Sequence, residues 1–237
     1  MLSILYSDDH LVAVDKLPGL LVHRTGLDAG EIRFALQMLR DQLDRRVWPV
    51  HRLDKGTSGV LLFALDAETA RVMGKAFEAG EGLQKTYRAV VRGWPAAEGL
   101  IDHALKRMPD DMRHEREEIQ EAQTRYRTLE RYELPLAQGP FPTTRCALVE
   151  MQPLTGRRHQ LRRHMKHLSH PIIGDATHGK GPLNRDLAAL LGIQRLWLHA
   201  QELALKHPIS GETVRIEAAL APEWALWRQR GQVSSSR

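Results

Sequence analysis

Two stretches of the sequence concentrate residues whose types and spacing can do chemistry. In His51-Arg52-Leu53-Asp54-Lys55-Gly56-Thr57-Ser58-Gly59 one carboxylate is flanked by two cations and followed by a turn rich in Gly, Thr and Ser. Nearby positive charge and hydrogen bonds keep such a carboxylate ionised at neutral pH, available as a nucleophile or as a stabiliser of developing charge. An ordinary Asx-turn, in which Asp54 only organises the loop, uses the same residues and stays open on composition alone.

The second stretch is Gly156-Arg157-Arg158-His159-Gln160-Leu161-Arg162-Arg163-His164. Between Gly156 and Ser169 stand Arg157, Arg158, Arg162, Arg163 and Lys166 with no acid among them. A solvated helix face usually interleaves signs to gain i, i+4 pairs, so an unrelieved cationic run points to an anionic ligand. Guanidinium forks beside a helix N-terminus suit phosphate or carboxylate. His159, His164, His167 and His170 are not read as a metal site, because no Cys or HExxH pairing accompanies them and the neighbouring cations repel a divalent ion. They fit better as members of a phosphate-binding patch.

These stretches need elements to position them. Ile4–Tyr6 and Leu11–Asp15 read as a β-hairpin around Ser7-Asp8-Asp9, closed off by Pro18-Gly19. Ile32, Ala35, Leu36, Leu39 and Leu43 recur at helical spacing over 31–44, and a second helix is expected from Asp66 as N-cap to Gly80 as C-cap. The Asp54 segment lies between them as a loop running into the apolar run Val60–Leu65. Over 86–92 Tyr87, Ala89 and Val91 alternate with polar residues, which puts Tyr87 on the inward face of a strand. A core tyrosine with a satisfied hydroxyl is the plain alternative for that residue.

Further along, 106–118 is so densely charged in both signs that it reads as a mobile loop, and Thr144–Met151 reads as a strand. A helix over 157–168 carries Leu161, Met165 and Leu168 as its apolar stripe and Arg158, Arg162 and Lys166 as a basic row. Strands are expected at Arg195–His199 and Val214–Glu217, and 228–237 reads as a disordered polar tail. Intermingled strands and helices without repeats or linkers give one α+β domain.

Composition bounds the function. The chain has 237 residues, 42% of them hydrophobic, enough for a real core. Its net charge of +5 is accounted for by the five cations of the second stretch, the remainder being balanced. A single cysteine, Cys146, reads as a buried small hydrophobe and fits a reducing, cytoplasmic location. No signal peptide or membrane span is expected, the longest strongly apolar run being the six residues Val60–Leu65. GxxxxGK[ST], GxGxxG and RNP-type signatures are lacking, which removes the common nucleotide pockets and the stacking RNA-recognition domain.

Taken together, HRLDKGTSG at 51–59, KTYRAVVRG at 85–93 and TGRRHQLRRHMKHLSHPIIGD at 155–175 resemble, in order, the three signature segments of the RluA class of pseudouridine synthases. The resemblance implies a single α+β catalytic domain over 1–227, with a mixed, mostly antiparallel central sheet flanked by helices and loops, and no N-terminal S4-type module. It implies Asp54 as the essential aspartate, Tyr87 packed on the base and placed for proton removal at C5, and Arg162 paired with Asp54. Arg52 would fill the space left by the extruded nucleotide, while Arg157, Arg158, His159, Arg163 and Lys166 would contact RNA.

Within the class, LVHRTGLD at 21–28 and GPFPTTRCALVE at 139–150 are similar to the subgroup that acts on tRNA at uridine 65. Ribosomal RNA is the alternative substrate. No metal, organic cofactor or protein partner is implied, and a monomer is expected. One carboxylate, where a glycoside hydrolase typically needs two, suits an isomerisation that keeps the base and activates no water. A non-catalytic RNA-binding module would use the same cationic run without needing Asp54, and a glycosylase would release free base.

Overall fold

In the computed structural model, which describes residues 1–23, 33–108 and 118–235, the chain starts with the expected hairpin, β1 (Ser3–Ser7) and β2 (Leu11–Lys16). There follow α1 (Ala35–Leu43), β3 (Trp48–Pro49), β4 (Ser58–Ala64), α2 (Ala67–Ala79), β5 (Leu83–Arg92) and β6 (Glu98–Asp102). Next come the two-residue strands β7 (Leu105–Lys106) and β8 (Ile119–Gln120), then β9 (Gln123–Leu134), β10 (Thr144–Pro153), α3 (Gln160–His167) and α4 (Gly181–Leu191). The chain ends with β11 (Leu198–Lys206), β12 (Thr213–Glu217), a 3-10 turn (Pro222–Ala225), α5 (Leu226–Arg230) and β13 (Gln232–Ser235). The pairs β1–β2, β2–β4, β5–β10, β9–β10 and β11–β12 are antiparallel, and the class is α+β as expected.

The residues group into two compact units, neither of them continuous in sequence. One comprises Met1–Lys85, Lys106–Gln120 and Ala200–Ala219, and the other Thr86–Leu105, Glu121–His199 and Leu220–Arg237. In the first, strands run in the order β1-β2-β4-β11, with β3 also on β4 and β12 on β11. Leu11, Ala13, Val60, Leu62, Leu203, Leu205 and Ile216 face α2 residues such as Met73 in one buried cluster. Helix α2 has the caps its sequence announces. Asp66 Oδ1 accepts from the Thr69 amide at 2.7 Å, and Gly80 closes the helix at φ 74°.

In the second unit the order is β5-β10-β9, and the outer edge of β9 is shared by β6, along Gln123–Arg127, and β13, along Glu130–Glu133. One face of this sheet, with Ala89, Val91, Ala147, Val149 and Met151, is covered by Leu161 and Met165 of α3. Burial of such a side chain contributes about 1.5–3 kcal/mol, which is what seats α3. The other face packs Cys146, Leu148 and Val90 against α4 and a cluster of Trp197, Trp224 and Trp227. Cys146 is a buried hydrophobe whose thiol is pushed up by burial.

Three expectations need correction. Within 228–235, where a disordered tail is expected, Arg228 Nε donates to Glu130 Oε2 at 2.7 Å, and β13 pairs with β9. Its polar composition suits a strand whose task is to cover an open edge rather than to fill a core. Helix α3 starts at Gln160, not at residue 157. The strand expected at Arg195–His199 begins at Leu198 and runs on to Lys206. Strand β9 and helix α4 were not expected at all. Of the charged excursion 106–118, residues 109–117 lie outside the described residues, as does most of LVHRTGLD; at its ends Arg107 and Glu118 are joined by a ladder hydrogen bond and a 3.0 Å ion pair.

Candidate active site

The Asp54 loop leaves β3 and enters β4. Its centre is the turn Asp54–Thr57, closed by the Thr57 amide donating to the Asp54 carbonyl at 3.0 Å. Asp54 is partly buried, Arg52 and Lys55 are exposed, and Thr57 and Ser58 are buried. Two side chains that sequence reasoning gave no role hold this loop. Lys16 is fully buried, and its ammonium donates to the carbonyls of Leu17 (3.0 Å), Leu20 (2.7 Å) and Lys55 (3.1 Å). A buried ammonium persists only where its donors are satisfied, so this contact ties the loop after β2 to the residue next to Asp54. The Gly19 amide adds a second tie to the same Lys55 carbonyl at 2.9 Å.

His51 is the other support. Its Nε2 accepts from the Leu62 amide at 3.0 Å, and its ring stacks on Phe77 at 4.5 Å between centroids. Accepting through Nε2 requires a neutral ring. Burial, with the charge of Lys85 acting in the same direction, lowers the imidazole from 6.5 to about 3.

In the other unit Tyr87 lies on β5, opposite Met151 of β10, on the face that packs against Leu161 and Met165 of α3. This is the inward placement expected. The start of α3 is set by one buried amide side chain. Gln160 Oε1 accepts from the Thr155 hydroxyl (2.7 Å) and the Arg157 amide (3.0 Å), and its Nε2 donates to the Gln123 carbonyl (2.9 Å) and the Thr124 hydroxyl (3.0 Å). The Gln160 amide itself closes a turn on the Arg157 carbonyl at 3.0 Å. Residues 157–159 therefore form a turn, His159 takes the left-handed φ of 54°, and the helix starts after it. The Arg157 and Gln160 amides, expected to be open to an anion, are already engaged.

The basic row is broken as well. Arg158 lies on the turn, Lys166 is exposed on the helix, and Arg162, between them in the expected row, points inward with its side chain 9% exposed. There it forks onto Asp175, Nε to Oδ2 and Nη2 to Oδ1, both at 2.8 Å. Burial alone would raise the Asp175 carboxyl. The hydrogen bonds and charge of Arg162 and the amides of His178 and Thr177 outweigh it and hold the group below its ordinary value. Arg157 and Arg163 are partly buried, and Arg157 Nε donates to the Glu121 carbonyl at 3.0 Å.

The histidines of the stretch are engaged one by one. His159 Nδ1 meets His178 Nε2 at 3.0 Å, His164 accepts from the Thr124 hydroxyl and donates to the His103 carbonyl, and His170 donates to the Arg92 carbonyl at 2.7 Å. Asp175, Gln160, Lys16 and His51 are the residues to which sequence reasoning gave no role of their own. A groove of about 430 Å³ lined by Glu98, Leu100, Arg125, Arg127, Glu150 and Gln152 contains none of the candidate residues.

The partly buried carboxylate on a pinned loop, the inward strand tyrosine and the forked arginine are carried by a chain of one family. Residues 10–167 match the family model described as RNA pseudouridylate synthase. The chain is 49% identical over 228 residues to the protein named tRNA pseudouridine synthase C of Vibrio cholerae, covering 94% of this chain and 93% of that one. With the protein of the same name from Haemophilus ducreyi the identity is 47%, over 95% and 93%. The solved structure of human RNA pseudouridylate synthase domain containing 1 superposes with a TM-score of 0.75 at 26% identity, covering 99% of this chain and 89% of that one. This chain belongs to the RNA pseudouridylate synthase family, of the RluA type, and is an isomerase of uridine in RNA. No helix among the described residues is long and apolar enough to cross a membrane.

Proposed function

We propose that this enzyme converts uridine to pseudouridine in tRNA, at uridine 65, with Asp54 as the essential carboxylate. The end-to-end likeness to proteins named for tRNA carries the choice of substrate. A base within a stem cannot turn about its own glycosidic bond. The nucleotide must leave the stack, at a cost of a few kcal/mol offset by contacts to phosphates and to the flipped base. Exposed Lys166 and the arginines around the start of α3 supply the phosphate contacts, and exposed Arg52 fills the gap in the stem.

Asp54 either attacks C1′ of the extruded uridine as the bond to N1 breaks, its own bond to C1′ breaking again when C5 attacks, or stabilises the positive charge that develops as the bond between C1′ and N1 breaks. The uracil turns and rejoins through C5, the C5 proton is removed with Tyr87 beside the ring, and N1 ends protonated. Arg162 stabilises the charge that develops at the reacting group. The base stays in the site throughout, so no second carboxylate is needed to activate water.

The substrate is tested by incubating the enzyme with unmodified tRNA and ribosomal RNA transcripts and mapping pseudouridine by carbodiimide adducts and primer extension. A single new stop at position 65 of tRNA is expected. Stops confined to ribosomal RNA would overturn the choice of substrate and leave the class intact.

A further inference from the structure

Arg162 is anchored more elaborately than a buried cation requires. Burial obliges a guanidinium to find a partner, and any well-placed acceptor would meet that need. Here the acceptor is itself fixed. Asp175 is fully buried and its Oδ1 accepts from the amides of Thr177 (2.9 Å) and His178 (2.8 Å). Asn184 then holds the Asp175 backbone, its Nδ2 donating to the Asp175 carbonyl at 3.0 Å and its Oδ1 accepting from the Gly174 amide at 2.9 Å.

The glycines on either side permit no looser version of this cradle. At Gly174, with φ +78°, a Cβ would lie 1.8 Å from the Arg195 carbonyl oxygen, and at Gly179 one would lie 2.3 Å from that of Asp175. A guanidinium gripped along its Nε and Nη2 edge has its plane fixed, and with it the direction of every other N–H it carries. Asp175 also lies beyond residues 10–167, the stretch matched by the family model.

We infer that Asp175 is a positioning residue for the isomerisation, holding the Arg162 guanidinium in the one orientation in which it serves the reacting nucleotide. The inference rests on the reading that Arg162 acts at the reacting group. Because the Arg162 and Asp175 charges cancel as a pair, what Arg162 brings is direction more than net charge. Two opposite consequences follow for Asp175→Asn. Were Arg162 an unoriented cation, removing the neighbouring negative charge would strengthen it and the rate would hold or rise. As an oriented donor, it loses half of its grip and the rate falls.

The test uses the full-length enzyme and tRNA carrying tritium at C5 of uridine, with single-turnover tritium release and tRNA binding measured separately. Asp175→Asn is expected to lower the rate constant about 10²-fold, the scale of a misplacement near 1 Å, with Kd for tRNA unchanged. Asn184→Ala, which leaves both charges in place, is expected to act in the same direction by about 10-fold. In an Arg162→Lys background, where no fork can form, Asp175→Asn should cost under about 3-fold.

A wild-type or faster rate in Asp175→Asn overturns the inference. So does a loss of equal size in both backgrounds, or a weakened Kd at unchanged rate constant. If Asp175→Asn yields no folded protein, an unchanged rate in Asn184→Ala overturns it instead. Activity surviving in Asp54→Asn would sink the proposed mechanism itself, whereas full activity of Asp175→Asn in an enzyme that still needs Asp54 and Arg162 would sink only this inference.

Discussion

Gly59 lies directly against the backbone of Ala200: a Cβ built on it would come within 2.1 Å of the Ala200 carbonyl oxygen, and its φ of +106° belongs to glycine alone. The last glycine of HRLDKGTSG thus lets β4 approach β11 and fixes where the Asp54 loop must end. Gly59→Ala is expected to cost more than about 3 kcal/mol, because the clash is with backbone that no rotamer change relieves. Chemical denaturation reads the effect; an unchanged midpoint would mean that the approach is not needed.

Lys16→Met keeps the length and most of the volume of the side chain but leaves the carbonyls of Leu17, Leu20 and Lys55 without their shared donor. The expected result is a drop in single-turnover rate of about 10-fold or more through loosening of the Asp54 loop, with tRNA affinity kept. A wild-type rate would show that the loop holds its shape without the ammonium.

His51 makes stability depend on pH. Its imidazole takes a proton near 6.5 when unfolded but only near about 3 when folded. The stability due to the neutral ring is therefore fully present above 6.5 and is lost as pH falls from 6.5 towards 3, by at most about 1.4 kcal/mol for each pH unit. His51→Gln retains an acceptor for the Leu62 amide and does not titrate. Its unfolding free energy, compared with that of the parent at pH 4, 5, 6 and 7, should fall less steeply on the acid side. Parallel curves would remove His51 as the cause.

Lys166 is exposed on α3, clear of the buried fork at Arg162. If it meets a tRNA phosphate, Lys166→Ala weakens binding and lowers the slope of log K against log salt by about 0.7–0.9, the value of one released counterion. Measured across a salt series, an unchanged slope would take Lys166 out of the interface.

Much of this was legible in the sequence, where the signals are local. The caps of α2, the hairpin of β1 and β2, the buried β4 and the alternation that turns Tyr87 inward each depend on residues within a few positions of one another. What sequence did not carry depends on distant partners. Strand β9 hides its alternation among Arg, Glu, Gln and Thr, because its burial comes from β10 and α3 rather than from an apolar run of its own. The start of α3 shifts because Gln160 reaches back to Thr155 and across to Gln123. Lysine and arginine read as surface residues, so burial of Lys16 and Arg162 could be found only with their acceptors in view, Lys55 and Asp175.

The central claim is that Asp54 performs the chemistry and not merely the folding of its loop. Asp54→Asn preserves the shape of the side chain and one accepting oxygen while removing its charge. Tritium release from C5-labelled tRNA and tRNA binding should be measured on this variant side by side. The account predicts release at background level with Kd within about 3-fold of the parent, the pattern of a group needed only in the transition state. Release at the parent rate would contradict it and reduce Asp54 to a loop-forming residue.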